Sequence, residues 1–244
     1  MNANLKTVEL KGRKYSSILC ISDQHHPFQH PDLIPFLAAL NKKYKFDLVV
    51  NMGDEVDGHA ISFHDKDPDL YSPKDELDRA IIALQPLYKL FPKMYLIDSN
   101  HGSLVFRQAK TAGLPRQVIK DYRDILQAPR GWSWSHSLIC QTEMGPVYFH
   151  HGKTSSSGKL SRNMAMNCVQ AHFHTKFQID YWGSPQGLFW DAHAGSLIDD
   201  AALAFAYNKT TLQRPVVGVV VILNGRPSLV PMHLSRGGRW TGRL

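Results

Sequence analysis

Five separated stretches of this 244-residue chain place carboxylates, imidazoles and one carboxamide directly after short apolar runs. Asp23 and His25 follow SILCI; Gly53, Asp54 and Asp57 lie in NMGDEVDGH; Asn100 and His101 lie in DSNHGS. His150 and His151 open HHGK, and His172 and His174 frame Phe173 in AHFHT. Packing asks for none of these side chains there. One Asp-x-His pair says little, because such neighbours are common in turns capped by an aspartate. Five in succession say more. Oxygen and imidazole donors without a thiolate suit Mn²⁺, Fe, Zn²⁺ or Ni²⁺. His172 and His174, two apart on an extended segment, face one side and can embrace one centre.

The elements that must carry these groups are readable from periodicity. Residues 15–22, 47–51 and 93–98 read as strands, residues 31–41 and 72–90 as helices. Ser72 is a candidate N-cap, Pro73 takes the first helical position, and Asp75 and Glu76 suit the positive end. Strand and helix alternate, which implies a parallel sheet with crossovers. From Trp132 the texture changes to successive strand-like pieces, at 132–140, 146–150, 176–182, 188–192, 216–223 and 227–232, with the hairpin signal Asn224-Gly225. The expected fold is α/β: two packed mixed β-sheets flanked by helices, an αββα four-layer sandwich. Residues 15–234 are expected to form one domain, with a basic segment at 1–14 and a basic tail at 235–244. The carboxyl ends of strands in such sheets are where ligands bind.

Composition narrows the partners. With 43% hydrophobic residues the chain can bury a full core. The longest apolar run, residues 216–223, is too short for a bilayer, so no membrane is expected. Cys20, Cys140 and Cys168 are scattered and suit reduced, buried thiols. The net charge of +7 lies mostly at the ends, +3 in the first fifteen residues and +3 in the last nine. Those ends read either as phosphate-grasping arms or as solubilising tails, the last one as a mobile arm.

In this order, D-x-H, G-D-x-x-D, N-H, a histidine before glycine and H-x-H, the chain resembles the calcineurin-like metallophosphoesterase superfamily over residues 17–198. It looks like the stand-alone members common in bacteria and their viruses, whose setting would be the cytoplasm of a bacterium or of a virus-infected bacterial host. The resemblance implies two divalent ions, Mn²⁺ first, with Fe, Zn²⁺, Ni²⁺ or Mg²⁺ as the others. Asp23, His25 and His174 would hold one ion; Asn100, His172 and His150 or His151 the other; Asp54 would bridge both. The family's ligand stands before the glycine, so His151 is the choice. His101 would protonate the leaving oxygen and Asp57 would orient a histidine, while His26 stands by. Two carboxylates against four cationic charges leave the site positive, as a phosphate substrate requires. Two-metal sites acidify a bridging water whose hydroxide attacks phosphorus in line.

The chain departs from the family in three places. Gly102 replaces the acid that orients the catalytic histidine, Ser99 and Ala171 replace glycines, and Gly58 stands where protein phosphatases carry a phosphate-clamping arginine. Gly152 to Leu160 mimics a P-loop but has the wrong spacing and lacks its Ser/Thr. Lys153 and Lys159 in that loop are candidates for binding substrate phosphate. Asp191-Ala192-His193 reads as structural. The expected activity is hydrolysis of a phosphodiester, with DNA or RNA as the leading substrate. The alternatives are a small-molecule phosphodiesterase or nucleotide phosphatase, and a catalytically silent, metal-stabilised nucleic-acid-binding protein.

Overall fold

The computed structural model describes residues 5–63, 66–205 and 212–244. Its strands are β1 (Thr7–Lys14), β2 (Ser17–Ile21), β3 (Leu48–Asn51), β4 (Lys93–Ile97), β5 (Gly131–Ser135) and β6 (Ser137–Thr142). They continue with β7 (Gly145–His150), β8 (Asn167–Gln170), β9 (Phe177–Ser184), β10 (Gly187–Ala194), β11 (Gly218–Leu223) and β12 (Arg226–Pro231). The helices are α1 (Leu33–Tyr44), α2 (Pro73–Leu90), α3 (Leu104–Thr111), α4 (Tyr122–Ile125) and α5 (Lys159–Met164).

Two six-stranded sheets result, ordered β12-β11-β2-β3-β4-β5 and β1-β6-β7-β8-β10-β9. Strands β2 to β5 run parallel, and so do β7, β8 and β10, while the antiparallel hairpin partners β12 and β9 each close one edge of a sheet. Alternation along β2 and β3 sorts the layers. Ile18, Cys20, Leu48 and Val50 face the second sheet and meet Leu138, Val147, Phe149 and Trp190. Leu19, Ile21 and Val49 face outward onto Phe36, Leu37 and Leu40 of α1 and Ala80, Leu84 and Leu87 of α2. On the other outer face, Leu160 of α5 packs with Tyr148 and Cys168. The αββα sandwich is therefore the fold. Ser72 caps α2 by accepting from the Asp75 N–H at 3.3 Å, and Asn224 and Gly225 both take positive φ in the β11–β12 turn.

Three expectations are corrected. Residues 132–140 are not one strand: the chain leaves the first sheet after Ser135, turns at His136 and enters the second at Ser137. The alternation of WSWSHSL runs straight across this switch and hides it, because both sheets demand the same pattern. Residues 7–14 are not a loose basic segment but the edge strand β1, paired parallel to β6. Arg13 donates to the Asp47 carbonyl at 2.9 Å and Lys14 meets Glu143 at 3.3 Å. Asp47 precedes β3, so this charge sits at the opposite end of the sheet from Asp54.

The tail is docked, not mobile. Arg239 Nε donates to Asp32 Oδ2 at 2.7 Å, its terminal nitrogen reaches the other carboxylate oxygen at 2.5 Å, and the Trp240 N–H donates to the same carboxylate at 2.9 Å. Trp240 packs edge-on against Phe36, 5.6 Å between ring centroids. The hydrogen bond from Arg239 holds the Asp32 carboxyl down at about 2, from an ordinary 3.8. A depressed carboxyl stabilises the fold above its unfolded pKa and loses that contribution as pH falls toward the folded one. Arg239→Ala is expected to free the tail, read as a shift in Trp fluorescence. The accompanying melting-temperature difference from the wild type should shrink between about pH 4 and about pH 2.

Candidate metal centre

The loops after β2, β3, β4, β7 and β8 meet at one end of the sandwich and bring the expected side chains together. Asp23, His25 and His174 offer ligand atoms within 4.8 Å of one another, and so do Asp54, His151 and His172. His174 Nε2 lies 3.1 Å from Asp23 Oδ1, and His151 Nε2 lies 3.1 Å from Asp54 Oδ2 and 2.8 Å from Asn100 Oδ1. His25 joins the halves, its Nε2 being 3.9 Å from Asp23 Oδ1 and 3.7 Å from Asp54 Oδ2. A cavity of about 810 Å³ opens over His25, Asp54, Asn100, His101, His172 and His174.

The backbone is bent to make this possible. Asp23, His25, Asp54 and His172 all have φ between 48° and 71°, the left-handed region that side chains with a Cβ avoid. Such residues persist only where the surroundings over-determine them, and they gather at functional sites. The surroundings here are specific. The Asp23 N–H donates to the Gly53 carbonyl at 3.0 Å, the His25 N–H to the Asp54 carbonyl at 2.9 Å, and the Leu197 N–H to the Asp23 carbonyl at 3.0 Å. Gly53, at φ +104°, is obligatory: a Cβ there would fall 2.6 Å from Ser99 Cβ and 2.8 Å from the Ile97 carbonyl.

Hydrogen bonds behind the cluster aim its rings. His25 Nδ1 donates to Asp57 Oδ1 at 2.6 Å, which turns Nε2 toward Asp23 and Asp54. His151 Nδ1 donates to the Met52 carbonyl at 2.8 Å, turning its Nε2 inward too. Ring nitrogens held in this way are what a metal-binding histidine needs. Adjacent His150 points elsewhere, its Nδ1 accepting from the Gly152 N–H at 3.0 Å. Successive residues at the end of β7 face opposite sides, so only one of the pair can join the cluster.

Burial and charge fit a bound cation. His25 Nε2 is buried with no hydrogen-bond partner, between two carboxylates. Burial alone would push His25 down, but the facing Asp23, Asp57 and Asp54 outweigh it and carry it up to about 10. Burial likewise opposes, and Asp54 and Asp23 overcome, in raising His151 to about 9. Against their own burial, Asp23 is held well below the carboxylate range by His174 and His25, and Asp54 by His151 and His101. Protons on His25 and His151 balance the surrounding carboxylates. Divalent ions compete with those protons. The apparent affinity for Mn²⁺ or Zn²⁺ is expected to rise steadily from pH 6 to pH 9, with proton release measured by calorimetry in buffers of different ionisation enthalpy. A pH-independent affinity with no proton release would refute this exchange.

His101 is held without the acid its neighbour lacks. Its Nδ1 donates to the Asp57 carbonyl, while Asp57 Oδ1 stands 3.8 Å away. Its N–H donates to Asp54 Oδ1 at 3.0 Å. Gly102 serves a different purpose. Its N–H donates to Ser99 Oγ at 3.0 Å, and the same oxygen accepts from the Asp54 N–H at 3.0 Å. Ser99, where the family has glycine, thus ties the Asp54 loop to the Asn100 loop.

Lys153 and Lys159 are not brought to the site, since neither lines the main cavity or the smaller one beside it. Gly152 lies against His172, and Lys159 begins α5 with its side chain exposed while Leu160 and Ser161 are buried. Asp191 and His193 lie inside β10 and share Gln170, whose amide nitrogen is 3.3 Å from Asp191 Oδ1 and 3.2 Å from His193 Nε2. Sequence reading overlooked Arg107, Phe63 and Phe205. Phe63 and Phe205 line the main cavity, and the Arg107 guanidinium lies 5.2 Å from the Phe63 ring centre. Arg107 lies in α3, seven residues beyond Asn100, and its place beside the site shows only once α3 is recognised.

A family model described as calcineurin-like phosphoesterase matches residues 16–221. Among solved structures, an archaeal phosphodiesterase is 12% identical, covering 88% of this chain and 99% of its own, with a TM-score of 0.43. Vps29 from Chaetomium thermophilum is 13% identical over 93% of this chain and 90% of its own, at 0.47. Yfce, a phosphoesterase from E. coli, is 12% identical over 88% and 96%, at 0.45. No curated protein sequence matches the chain.

Proposed function

Because the chain belongs to the calcineurin-like phosphoesterase family and is a metal-dependent phosphoric ester hydrolase, we propose that it cleaves phosphodiester bonds in nucleic acid. The family implies a dinuclear divalent centre. In our reading Asp23, His25, His174 and Asp54 would hold one ion, and Asp54, Asn100, His151 and His172 the other. When bound, two such ions supply Lewis acidity to a phosphoryl group and acidify water. The remaining work falls to the chain's own residues. Asp57 fixes the direction of His25. His101, with its Nδ1–H committed to the Asp57 carbonyl, would give a proton to a departing oxygen from Nε2 as the imidazolium.

The observation that carries the substrate assignment is the wall of the main cavity. Phe63, 50% exposed, stands there with Phe205 beside the clustered histidines and aspartates. An exposed ring next to phosphoryl chemistry is a stacking surface for a base, and stacking is tolerant of sequence. Gly58 supports the same reading. It leaves this position without the arginine that clamps phosphate in protein phosphatases. The basic termini contribute less than their charge suggests, with Arg13, Lys14 and Arg239 already committed elsewhere.

The test is a substrate panel: bis-p-nitrophenyl phosphate, single-stranded DNA, duplex DNA, RNA and cyclic nucleotides, with Mn²⁺, Zn²⁺, Ni²⁺ or Mg²⁺ returned separately after chelation. Metal-dependent cleavage of a polynucleotide is expected, Mn²⁺ restoring it best. Phe63→Ala should raise KM for single-stranded DNA by about tenfold and by more than for the small diester. Turnover confined to cyclic nucleotides would move the substrate to small molecules. No turnover of any diester would leave a silent metal-stabilised protein.

A further inference from the structure

Beside the main cavity lies a second one of about 300 Å³, which shares Asn100 and His172 with it. Its wall includes His136, His150 and Arg107, none of them among the candidate metal ligands. Two buried donors at this wall have no partner: His150 Nε2 and Arg107 Nε. The His150 tautomer follows from its other nitrogen. Because Nδ1 accepts from the Gly152 N–H, the proton of the neutral ring is on Nε2, a donor. His150 is 5% exposed, and no protein group answers that donor. Arg107 is anchored nearby, its terminal nitrogen donating to the Asn100 carbonyl at 2.8 Å. Buried donors are nearly always paired, and two left unpaired around one cavity describe the acceptors that belong in it.

We infer that this cavity is a subsite for a second phosphate group of the substrate, one that is not cleaved. The inference rests on the phosphodiesterase reading above and deepens it. A phosphate offers several oxygen acceptors to an imidazole N–H and a guanidinium at once, in charge-assisted hydrogen bonds. One carboxylate, Asp98, shares the wall with Arg107. Two divalent ions next to Asn100, His151 and His172 would then make the cavity's surroundings positive. The shared wall gives the substrate a continuous path, from a scissile group over Asp54 and past Asn100 and His172 to the second phosphate. His101 lines the main cavity and not this one. The departing group therefore belongs to the larger side, and the second phosphate to the part that stays behind.

Two sources supply such a group: the neighbouring phosphate of a polynucleotide, one sugar away, or the second phosphate of a nucleoside diphosphate. Calorimetry on the full metal-loaded chain separates them, using thymidine 3′,5′-bisphosphate and thymidine 5′-diphosphate against the two thymidine monophosphates. One of the doubly phosphorylated ligands is expected to bind at least about tenfold more tightly than either monophosphate, the bisphosphate if the source is a polynucleotide. His150→Ala and His136→Asn should each bring that ratio close to one. His136 is half-buried, so its variant remains informative if His150→Ala fails to fold. Equal affinity of the wild type for one and two phosphates overturns the subsite, as does a preference that survives in both variants. Hydrolysis of bis-p-nitrophenyl phosphate, followed in parallel, keeps the two readings apart. A preference for two phosphates without turnover would sink the catalytic reading and keep the subsite; turnover without the preference would do the reverse.

Discussion

Asp54→Asn is expected to lower metal-dependent turnover of bis-p-nitrophenyl phosphate by at least about a thousandfold, while leaving the protein folded. The Asp54 carboxylate is 1% exposed and faces both halves of the cluster. Its Oδ2 lies 3.1 Å from His151 Nε2 and 3.7 Å from His25 Nε2, and its Oδ1 accepts from the His101 N–H. A carboxamide keeps the shape and can still accept the His101 N–H, but it removes the negative charge and leaves one oxygen instead of two. In the reading above, two cations could no longer share it, and the site would lose the charge that offsets their mutual repulsion. Asparagine also tolerates the φ of 52° found at this position, so backbone strain does not confuse the result. Bound metal measured by mass spectrometry should fall below two ions per chain. Full occupancy with undiminished turnover would show that Asp54 does not bridge.

The positions of the ligand-bearing loops were legible because each combines a run of β-branched or aliphatic residues with an abrupt polar ending. SILCI before Asp23 and LVVN before Asp54 are buried on both faces, which is what parallel strands between helices and a second sheet require. What escaped has physical causes. The hinge at His136 is silent because Ser135 and Ser137 continue the alternation across it. Strand β1 reads as a charged tail because it is a sheet edge, and edges carry lysine and arginine to discourage pairing with another chain. The dock of Arg239 on Asp32 joins residues 207 positions apart, beyond any local pattern. The same holds for Phe63 and Arg107, whose relation to the metal cluster exists only after α3 packs. Lys153 and Lys159 misled in the opposite sense: a glycine-rich stretch with lysines resembles a phosphate cradle, yet the loop carries them past the site rather than into it.

His101→Ala is expected to separate poor leaving groups from good ones. In the wild type the imidazole is one-quarter exposed at its side chain and lines the main cavity, with Nδ1 fixed on the Asp57 carbonyl. That fixed bond replaces the missing acid at position 102, because a backbone carbonyl accepts from Nδ1–H as a carboxylate would, though without its charge. The neutral acceptor has a consequence: it orients the ring but brings no charge to support an imidazolium, whereas Asp57 Oδ1, 3.8 Å away, does. p-Nitrophenolate departs with little need of a proton, whereas a sugar alkoxide needs one almost fully. Loss of a general acid should therefore slow cleavage of a dinucleotide by about 10²- to 10⁴-fold and of bis-p-nitrophenyl phosphate by less than about tenfold. Equal slowing of both would assign His101 to positioning of the phosphoryl group instead. Asp57→Asn divides the two contributions of that residue. It keeps the carbonyl that holds His101 but removes the charge, and it weakens the hold on His25 Nδ1. Metal affinity should fall with it, whereas in His101→Ala metal affinity should be unchanged. A loss of metal in His101→Ala would mean that the ring serves the metal cluster rather than the departing oxygen.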